Sequence, residues 1–205
     1  EMMDESTYRK FPGAKALAAY ILLRDLPQGT DPLGPENILV LAAGLLTGAP
    51  FSTATRFTAA ARSPLTGAYG ESEAGGYWGP ELKMCGIEAL VIKGKAPHPV
   101  FLWIEDGKIE IQDASHLWGH HPGEVQDIIR QTFEDEKIQV LQTGIGGENL
   151  VRYAALTHNM RHYNGRTGMG AVMGSKNLKA VAVRSKSGRY RDFANDAQSL
   201  SEAGK

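Results

Sequence analysis

A chain of 205 residues can build one sizeable core or two small ones, and its 42% apolar and 22% charged content is that of an ordinary globular domain. The formal net charge of −1 lacks the basic excess of a nucleic-acid binder, so any bound anion must be held by local groups. The single cysteine, Cys85, excludes an internal disulfide and cannot alone hold an iron–sulfur cluster, which takes about four thiolates; it reads as a small buried apolar residue.

Residues 14–25 are expected to form a helix, with Leu17, Tyr20, Ile21 and Arg24 at helical spacing behind Pro12-Gly13. Pro27-Gln28-Gly29-Thr30-Asp31-Pro32 is a loop by its breakers. Asn37-Ile38-Leu39-Val40-Leu41-Ala42 is a short unbroken apolar run, the pattern of a strand buried on both faces. A second strand is expected over residues 55–62, turned by Ser63-Pro64-Leu65-Thr66-Gly67. The stretch that follows, including Glu71 and Glu73, reads as an exposed loop. Gly75-Gly76-Tyr77-Trp78-Gly79-Pro80 then opens a short helix near residues 81–84, with Pro80 suited to a first turn. Ala89-Leu90-Val91-Ile92 is a strand.

Residues 100–105 and 108–112 form the clearest hairpin, because Asp106-Gly107 is a dipeptide that tight two-residue turns favour. Asp113 caps a segment containing His116 and Trp118. Residues 122–133 are an amphipathic helix with Val125, Ile128, Ile129 and Phe133 on one face. Strands are expected at 137–142 and 149–156, around Gly144-Ile145-Gly146-Gly147. A short helix at 170–175 and a strand at 178–184 close the domain, taken as residues 1–187. Residues 188–205 read as a frayed polar tail or a linker to missing domains. The chain starts with Glu1 and not Met, which suggests a piece of a longer protein. No apolar run reaches the roughly 18–20 residues of a membrane helix and no signal peptide is visible, so the expected location is cytoplasmic.

Strands outnumber helices without alternating strictly with them, which argues for an α+β fold. Gly79-Pro80-Glu81-Leu82-Lys83 before Ala89-Leu90-Val91-Ile92 is echoed by Gly174-Ser175-Lys176 before Leu178-Lys179-Ala180-Val181. Both are a glycine-rich loop, a short helix and an apolar strand, as a duplicated unit would give.

Two segments carry the chemistry. Arg56 to Gly79 brings glycines 67, 70, 75, 76 and 79 together with Arg56, Arg62 and a helix start, a combination suited to phosphate. Arg161 to Gly174 repeats that combination with Arg161 and Arg166. It is not a Walker loop, since no Gly-Lys-Ser/Thr follows at the needed spacing. It is not a dinucleotide fingerprint either, because Met173 stands where the third glycine belongs. Gly144-Ile145-Gly146-Gly147 is set aside because a strand, not a helix, is expected after it. His116, His120, His121, His158 and His162 lack tight metal-ligand spacing and read first as surface or core residues. Glu71 and Glu73 have the types of an acid–base pair, but on a loop they read first as solvated charges. Trp78, Trp103 and Trp118 read as core. On this evidence alone the chain is a cradle for an anionic, phosphate-bearing ligand, a stand-alone phosphate- or nucleotide-binding module, or a turn-rich structural domain.

The ordered motifs are more specific. Asp31-Pro32-Leu33-Gly34-Pro35-Glu36-Asn37, Ala43-Gly44-Leu45-Leu46-Thr47-Gly48, Arg62-Ser63-Pro64-Leu65-Thr66-Gly67, Gly75-Gly76-Tyr77-Trp78-Gly79-Pro80-Glu81-Leu82-Lys83, Asp113-Ala114-Ser115-His116-Leu117-Trp118-Gly119 and Gly170-Ala171-Val172-Met173-Gly174-Ser175-Lys176-Asn177-Leu178-Lys179-Ala180 together span most of the chain. In that order they resemble the N-terminal domain of the tungsten-containing aldehyde ferredoxin oxidoreductase family.

The resemblance implies a base of two β-sheets under a bis-pterin cofactor carrying tungsten or molybdenum, with electrons leaving through a [4Fe–4S] cluster to ferredoxin or a similar carrier. It implies that Arg56 lies between pterin and cluster. Glu73, Gly75 and Gly76 would border one pterin; His162, Tyr163, Gly165 and Arg166 would border the other. A magnesium ion joining the pterin phosphates would take the backbone carbonyls of Glu73 and Tyr163. The family often has asparagine where Glu73 stands, and Arg-Ala-Ala-Gly-Arg-Gly-Gly where this chain has His162-Tyr163-Asn164-Gly165-Arg166-Thr167-Gly168. Backbone contacts tolerate such exchanges. Implied partners are the C-terminal domains of the same polypeptide, which would bring the cluster cysteines and the acid–base residues, and the electron carrier; a homodimer is left open. The domain alone would be inactive.

Overall fold

The computed structural model describes residues 3–188 and 196–204. Its first sheet is β1 (Leu39–Ala43), β2 (Phe57–Arg62), β3 (Tyr69–Ala74) and β4 (Ala89–Ile92), in the order β3-β2-β1-β4 with every pairing antiparallel. The second sheet contains β5 (Val100–Glu105), β6 (Lys108–Asp113), β7 (Gln139–Thr143), β8 (Leu156–His158), β9 (His162–Asn164) and β10 (Leu178–Arg184), in the order β6-β5-β10-β7-β8-β9. Only the β5–β10 pair is parallel among these. The fold is α+β, as expected.

Between and around the sheets lie α1 (Glu5–Lys10), α2 (Ala14–Asp25), α3 (Trp78–Met84), α4 (Pro122–Thr132), α5 (Ile145–Glu148), α6 (Met169–Ser175) and α7 (Ala197–Ala203). Each long helix covers one outer face. Leu17, Ala18, Ile21 and Leu22 of α2 pack on Val40, Ala42 and Ala60 of the first sheet. Val125 and Ile129 of α4 pack on Phe101, Trp103, Val140, Ala180 and Ala182 of the second. The inner faces share one core with α3 and α6, from Leu39, Leu41, Phe57 and Ala59 to Leu141, Leu156, Val181 and Val183. This explains the unbroken run in β1, which is buried on both faces. Helix α6 is buried along its whole length, as a helix without a polar side must be. Trp78 of α3 is fully buried and its indole N–H donates to the Val181 carbonyl at 2.9 Å, tying that helix to β10.

The echo in the sequence has a topological counterpart. The run β1, β2, β3, α3, β4 gives the order 3-2-1-4, and β7, β8, β9, α6, β10 gives 9-8-7-10, with all pairings antiparallel in both. The hairpin β5–β6 is added on the open side of β10, turned by Asp106 (φ 46°) and Gly107 (φ 87°).

Several expectations fail locally. Glu71 and Glu73 are on strand β3, not on a loop: they share one face while Gly70, Ser72 and Ala74 are buried. Residues 162–164 pair as β9 with β8. Helix α3 begins at Trp78, earlier than expected. The strand expected over 149–156 is reduced to β8. Leu150 adopts a left-handed φ of 58°, the Val151 N–H returns to Gly146 O, and Tyr153 is exposed, so the apolar letters there do not alternate between faces. Gly144-Ile145-Gly146-Gly147 opens a helical turn, α5, because its glycines permit close packing. A Cβ on Gly147 would lie 2.5 Å from the Gly170 carbonyl oxygen, and one on Gly174 would lie 2.1 Å from that of Gly147. The expected tail includes α7, while residues 189–195 and 205 lie outside the described residues.

Candidate functional site

The edge strands β3 and β9 bring the two sheets together, and side chains join them across the seam. Asn164 donates from Nδ2 to the Ser72 carbonyl at 2.7 Å, and Thr167 from Oγ1 to the Glu71 carbonyl at 3.1 Å. Ser63 donates from Oγ to the Thr167 carbonyl at 2.8 Å. Gly70 has no room for a side chain, since a Cβ would stand 2.7 Å from that of Ser63 and 2.9 Å from that of Thr167.

At one end of the seam is a cleft of about 370 Å³, lined by Thr53, Thr55, Arg56, Glu73 to Gly76, and Arg161 to Tyr163. It brings together Arg56, Glu73, Gly75, Gly76, His162 and Tyr163, six of the eight residues expected to hold a cofactor. Gly165 and Arg166 lie beyond the lining. The Arg166 N–H donates to Ser72 Oγ at 3.2 Å and its guanidinium rests on the Gly165 carbonyl at 3.4 Å. Arg62 was expected in the same cradle but sits at the far end of β2, about 17–20 Å along the strand. There its backbone is held by Asn37. The glycines after Gly168 serve packing: a Cβ on Gly170 would lie 2.3 Å from the Ala155 carbonyl oxygen.

The cleft has a cationic bias. The guanidiniums of Arg56 and Arg161 are exposed and have no ion-pair partner among the described residues. The one lining carboxylate, Glu73, lies 3.6 Å from Lys15 Nζ, which also lies 3.3 Å from Glu71. Lys15 therefore offsets both acidic groups, and the acid–base reading of the pair finds no support in this geometry.

Beneath the lining, His158 is fully buried, with Nε2 2.6 Å from the Gly75 carbonyl oxygen. Its ring stacks on His162, centroids 5.0 Å apart and planes 20° apart. Burial pulls its pKa down to about 4; the Gly75 hydrogen bond opposes that shift and His162 adds to it. Gly76, at φ 90°, has no space for a side chain: a Cβ would lie 2.4 Å from His158 Cε1 and 2.6 Å from His162 Cδ2. Sequence reasoning left His158 among core or surface histidines. Its one local signal, the His-x-x-x-His spacing to His162, belongs here to a β8–β9 hairpin.

Among the described residues no group of three His, Cys, Asp or Glu could hold a metal. Cys85 is buried, donates to the Arg184 carbonyl at 3.4 Å, and has its thiol pKa raised by burial, which is the inert role expected for it. Among the described residues no helix is long and apolar enough to cross a membrane.

Residues 1–185 match the model of the aldehyde ferredoxin oxidoreductase N-terminal domain. The chain belongs to this family. The tungsten-containing aldehyde ferredoxin oxidoreductase of Pyrococcus furiosus is 46% identical over 183 residues, covering 89% of this chain and 30% of the relative. An aliphatic sulfonate oxidoreductase, WOR-like subunit, from the same organism is 36% identical over 197 residues, covering 89% of this chain and 31% of the relative. A solved chain of the active-site complex BamBC of benzoyl coenzyme A reductase, in complex with 1,5-dienoyl-CoA, superposes with a TM-score of 0.88 at 39% identity. That match covers 92% of this chain and 28% of the other. The aldehyde ferredoxin oxidoreductase N-terminal domain described here thus spans about 30% of the length of the relatives it matches.

Proposed function

We propose that residues 1–187 are the base on which a tungsten or molybdenum bis-pterin lies in a longer oxidoreductase, with the chain beyond them leading to further domains. The observation that carries this reading is the cleft at the seam, where the guanidiniums of Arg56 and Arg161, without an ion-pair partner among the described residues, stand beside the backbone of Gly75-Gly76 and of residues 161–163. The donor set fits the group: an anionic ligand finds two guanidiniums, the one lining carboxylate, Glu73, is offset by Lys15, and a flat ligand can approach glycine backbone closely. In this reading a magnesium ion would take the Glu73 and Tyr163 carbonyls together with phosphate oxygens.

When bound, the group supplies redox chemistry at the metal, with electrons leaving through a [4Fe–4S] cluster to ferredoxin or a similar carrier. In this reading Arg56 and Arg161 neutralise phosphate charge, each charge-assisted hydrogen bond being worth roughly 1.5–3 kcal/mol. Gly75 and Gly76 set the close wall on the first sheet; His162 and Tyr163 set the opposite wall. Gly165 and Arg166 act from outside the cleft, Arg166 reaching an anion only by swinging off its own chain. The cluster's thiolates come from the rest of the polypeptide, since Cys85 is buried in the core. On this reading the whole enzyme is cytoplasmic and acts on aldehydes or related substrates. A homodimer remains compatible with it.

The test is purification of the full-length protein without oxygen, with analysis of tungsten, molybdenum and pterin. Stoichiometric pterin with either metal is expected; protein free of both would sink the proposal. Arg56→Ala in the same protein is expected to lower turnover without lowering the unfolding midpoint, and unchanged turnover would remove Arg56 from the site.

A further inference from the structure

His158 lies under the cleft, and holding an anion does not by itself call for a histidine there. The ring is fully buried and its Nε2 is 2.6 Å from the Gly75 carbonyl oxygen. A carbonyl only accepts, so Nε2 carries the proton and Nδ1 is the bare nitrogen. Nδ1 is buried with no hydrogen-bond partner. Such an orphaned atom is a cost to the fold. A phenylalanine would fill the site against Phe57, 5.7 Å between ring centroids, and His162 without that cost. What only the histidine supplies is the N–H to Gly75.

That bond acts on a part of the lining that has no side chains of its own. Gly75 and Gly76 join the end of β3 to the start of α3, and neither has a side chain to fix its backbone. The same ring braces the other wall, since it lies nearly parallel to His162, a lining residue contributed by β9. The close approach of both rings to Gly76 leaves its backbone one position against them.

We infer that His158 is a positioning residue for the cofactor cleft: its Nε2–H holds the Gly75 carbonyl and its face holds the His162 ring, so that the walls given by the two sheets keep a fixed separation. The inference rests on the pterin reading of the cleft given above.

The test uses the full-length protein, purified without oxygen, as wild type, His158→Phe and His158→Gln. The Phe variant keeps the stacking ring and loses the donor; the Gln variant keeps an amide N–H at similar reach. Pterin and metal per folded chain are measured beside the thermal midpoint. The Phe variant is expected to fold with a midpoint at or above wild type, yet to retain about ten-fold less pterin through gel filtration, in line with losing a hydrogen bond behind a ligand-holding group. The Gln variant is expected to recover most of the loss. A purely structural role would move the midpoint and leave pterin per folded chain unchanged. Wild-type pterin in the Phe variant overturns the inference, as does a folded Gln variant that loses pterin as fully as Phe. His158→Met replaces Phe as the donor-free variant should Phe not accumulate. Wild-type protein devoid of pterin defeats the reading of the cleft itself, an outcome distinct from wild type and Phe variant being equally loaded.

Discussion

Acid should weaken this fold through His158. The ring is fully buried, and its pKa falls from 6.5 to about 4 in the folded state. The unfolded chain therefore binds a proton below pH 6.5 that the folded chain refuses until about pH 4. Stability is greatest above 6.5 and falls as the pH drops through the window. Between pH 7.5 and 5 the loss is about 2 kcal/mol, and it saturates near 3 kcal/mol below the folded pKa. Asp4 and Asp25, both held near a pKa of about 2, titrate below the window. Glu81 acts inside it with the opposite sign, because burial raises its pKa and stability falls as the pH rises through its titration. Comparison with His158→Gln removes that contribution, since Glu81 is present in both proteins. Urea unfolding at pH 7.5, 6, 5 and 4.5 should give wild-type free energies that fall relative to the variant by about 2 kcal/mol by pH 5. Parallel profiles for the two proteins would refute the assignment of a buried neutral ring.

Gly76→Ala should destabilise the domain by at least about 1–3 kcal/mol, because it combines a left-handed φ with a Cβ driven into two stacked rings; an unchanged urea midpoint would show that the rings can move aside. Lys176 is 2% exposed, and its ammonium donates to the carbonyls of Pro35, Asn37 and Gly94, with burial lowering its pKa to about 8. The unfolded chain binds more protons from pH 8 to 10.5, so wild-type stability should rise across that range relative to Lys176→Met; equal pH slopes would count against a depressed lysine. Trp78→Phe should cost about 2–3 kcal/mol through a lost hydrogen bond to Val181 and the space left by the smaller ring, measured by the same unfolding.

The parts of the fold that could be read from sequence are those where a single segment carries its own signal. The helix over 14–25, the unbroken run of β1 and the Asp106-Gly107 hairpin needed only local periodicity or turn chemistry. β3 and β9 were hidden because edge strands at the seam present mixed residues. Tyr-Gly-Glu-Ser-Glu-Ala alternates small buried positions with charged outward ones, and glycine and serine there obscure the strand propensity. The glycines misled in the other direction. Gly170 and Gly174 looked like ligand-cradling residues, yet with Gly147 they let α5, α6 and the 152–155 loop approach one another closely, a constraint visible only once the helices are placed. Arg62 was grouped with Arg56 by nearness in sequence, while a strand between them carries the two to opposite ends of the sheet. Six of the residues expected to hold a cofactor did converge on one cleft, because they come from strand ends that the seam brings together.

The two repeated units contribute unequally to the cleft. The first gives a glycine turn, Gly75-Gly76, and Arg56; the second gives Arg161 and the rings of His162 and Tyr163. A strictly symmetric seam would put matching groups on both sides and would not separate a close backbone wall from an aromatic one. Here the asymmetry arises because the second unit spends its glycines on helix packing, which leaves side chains to form its wall. On the proposed reading, every lining group meets the cofactor's anionic periphery from a strand end or a turn, and substrate selection belongs to other domains. On that reading the same base would serve relatives named for aldehydes, aliphatic sulfonates and benzoyl coenzyme A at 36–46% identity, because the seam would hold an anion without having to distinguish what reacts beyond it.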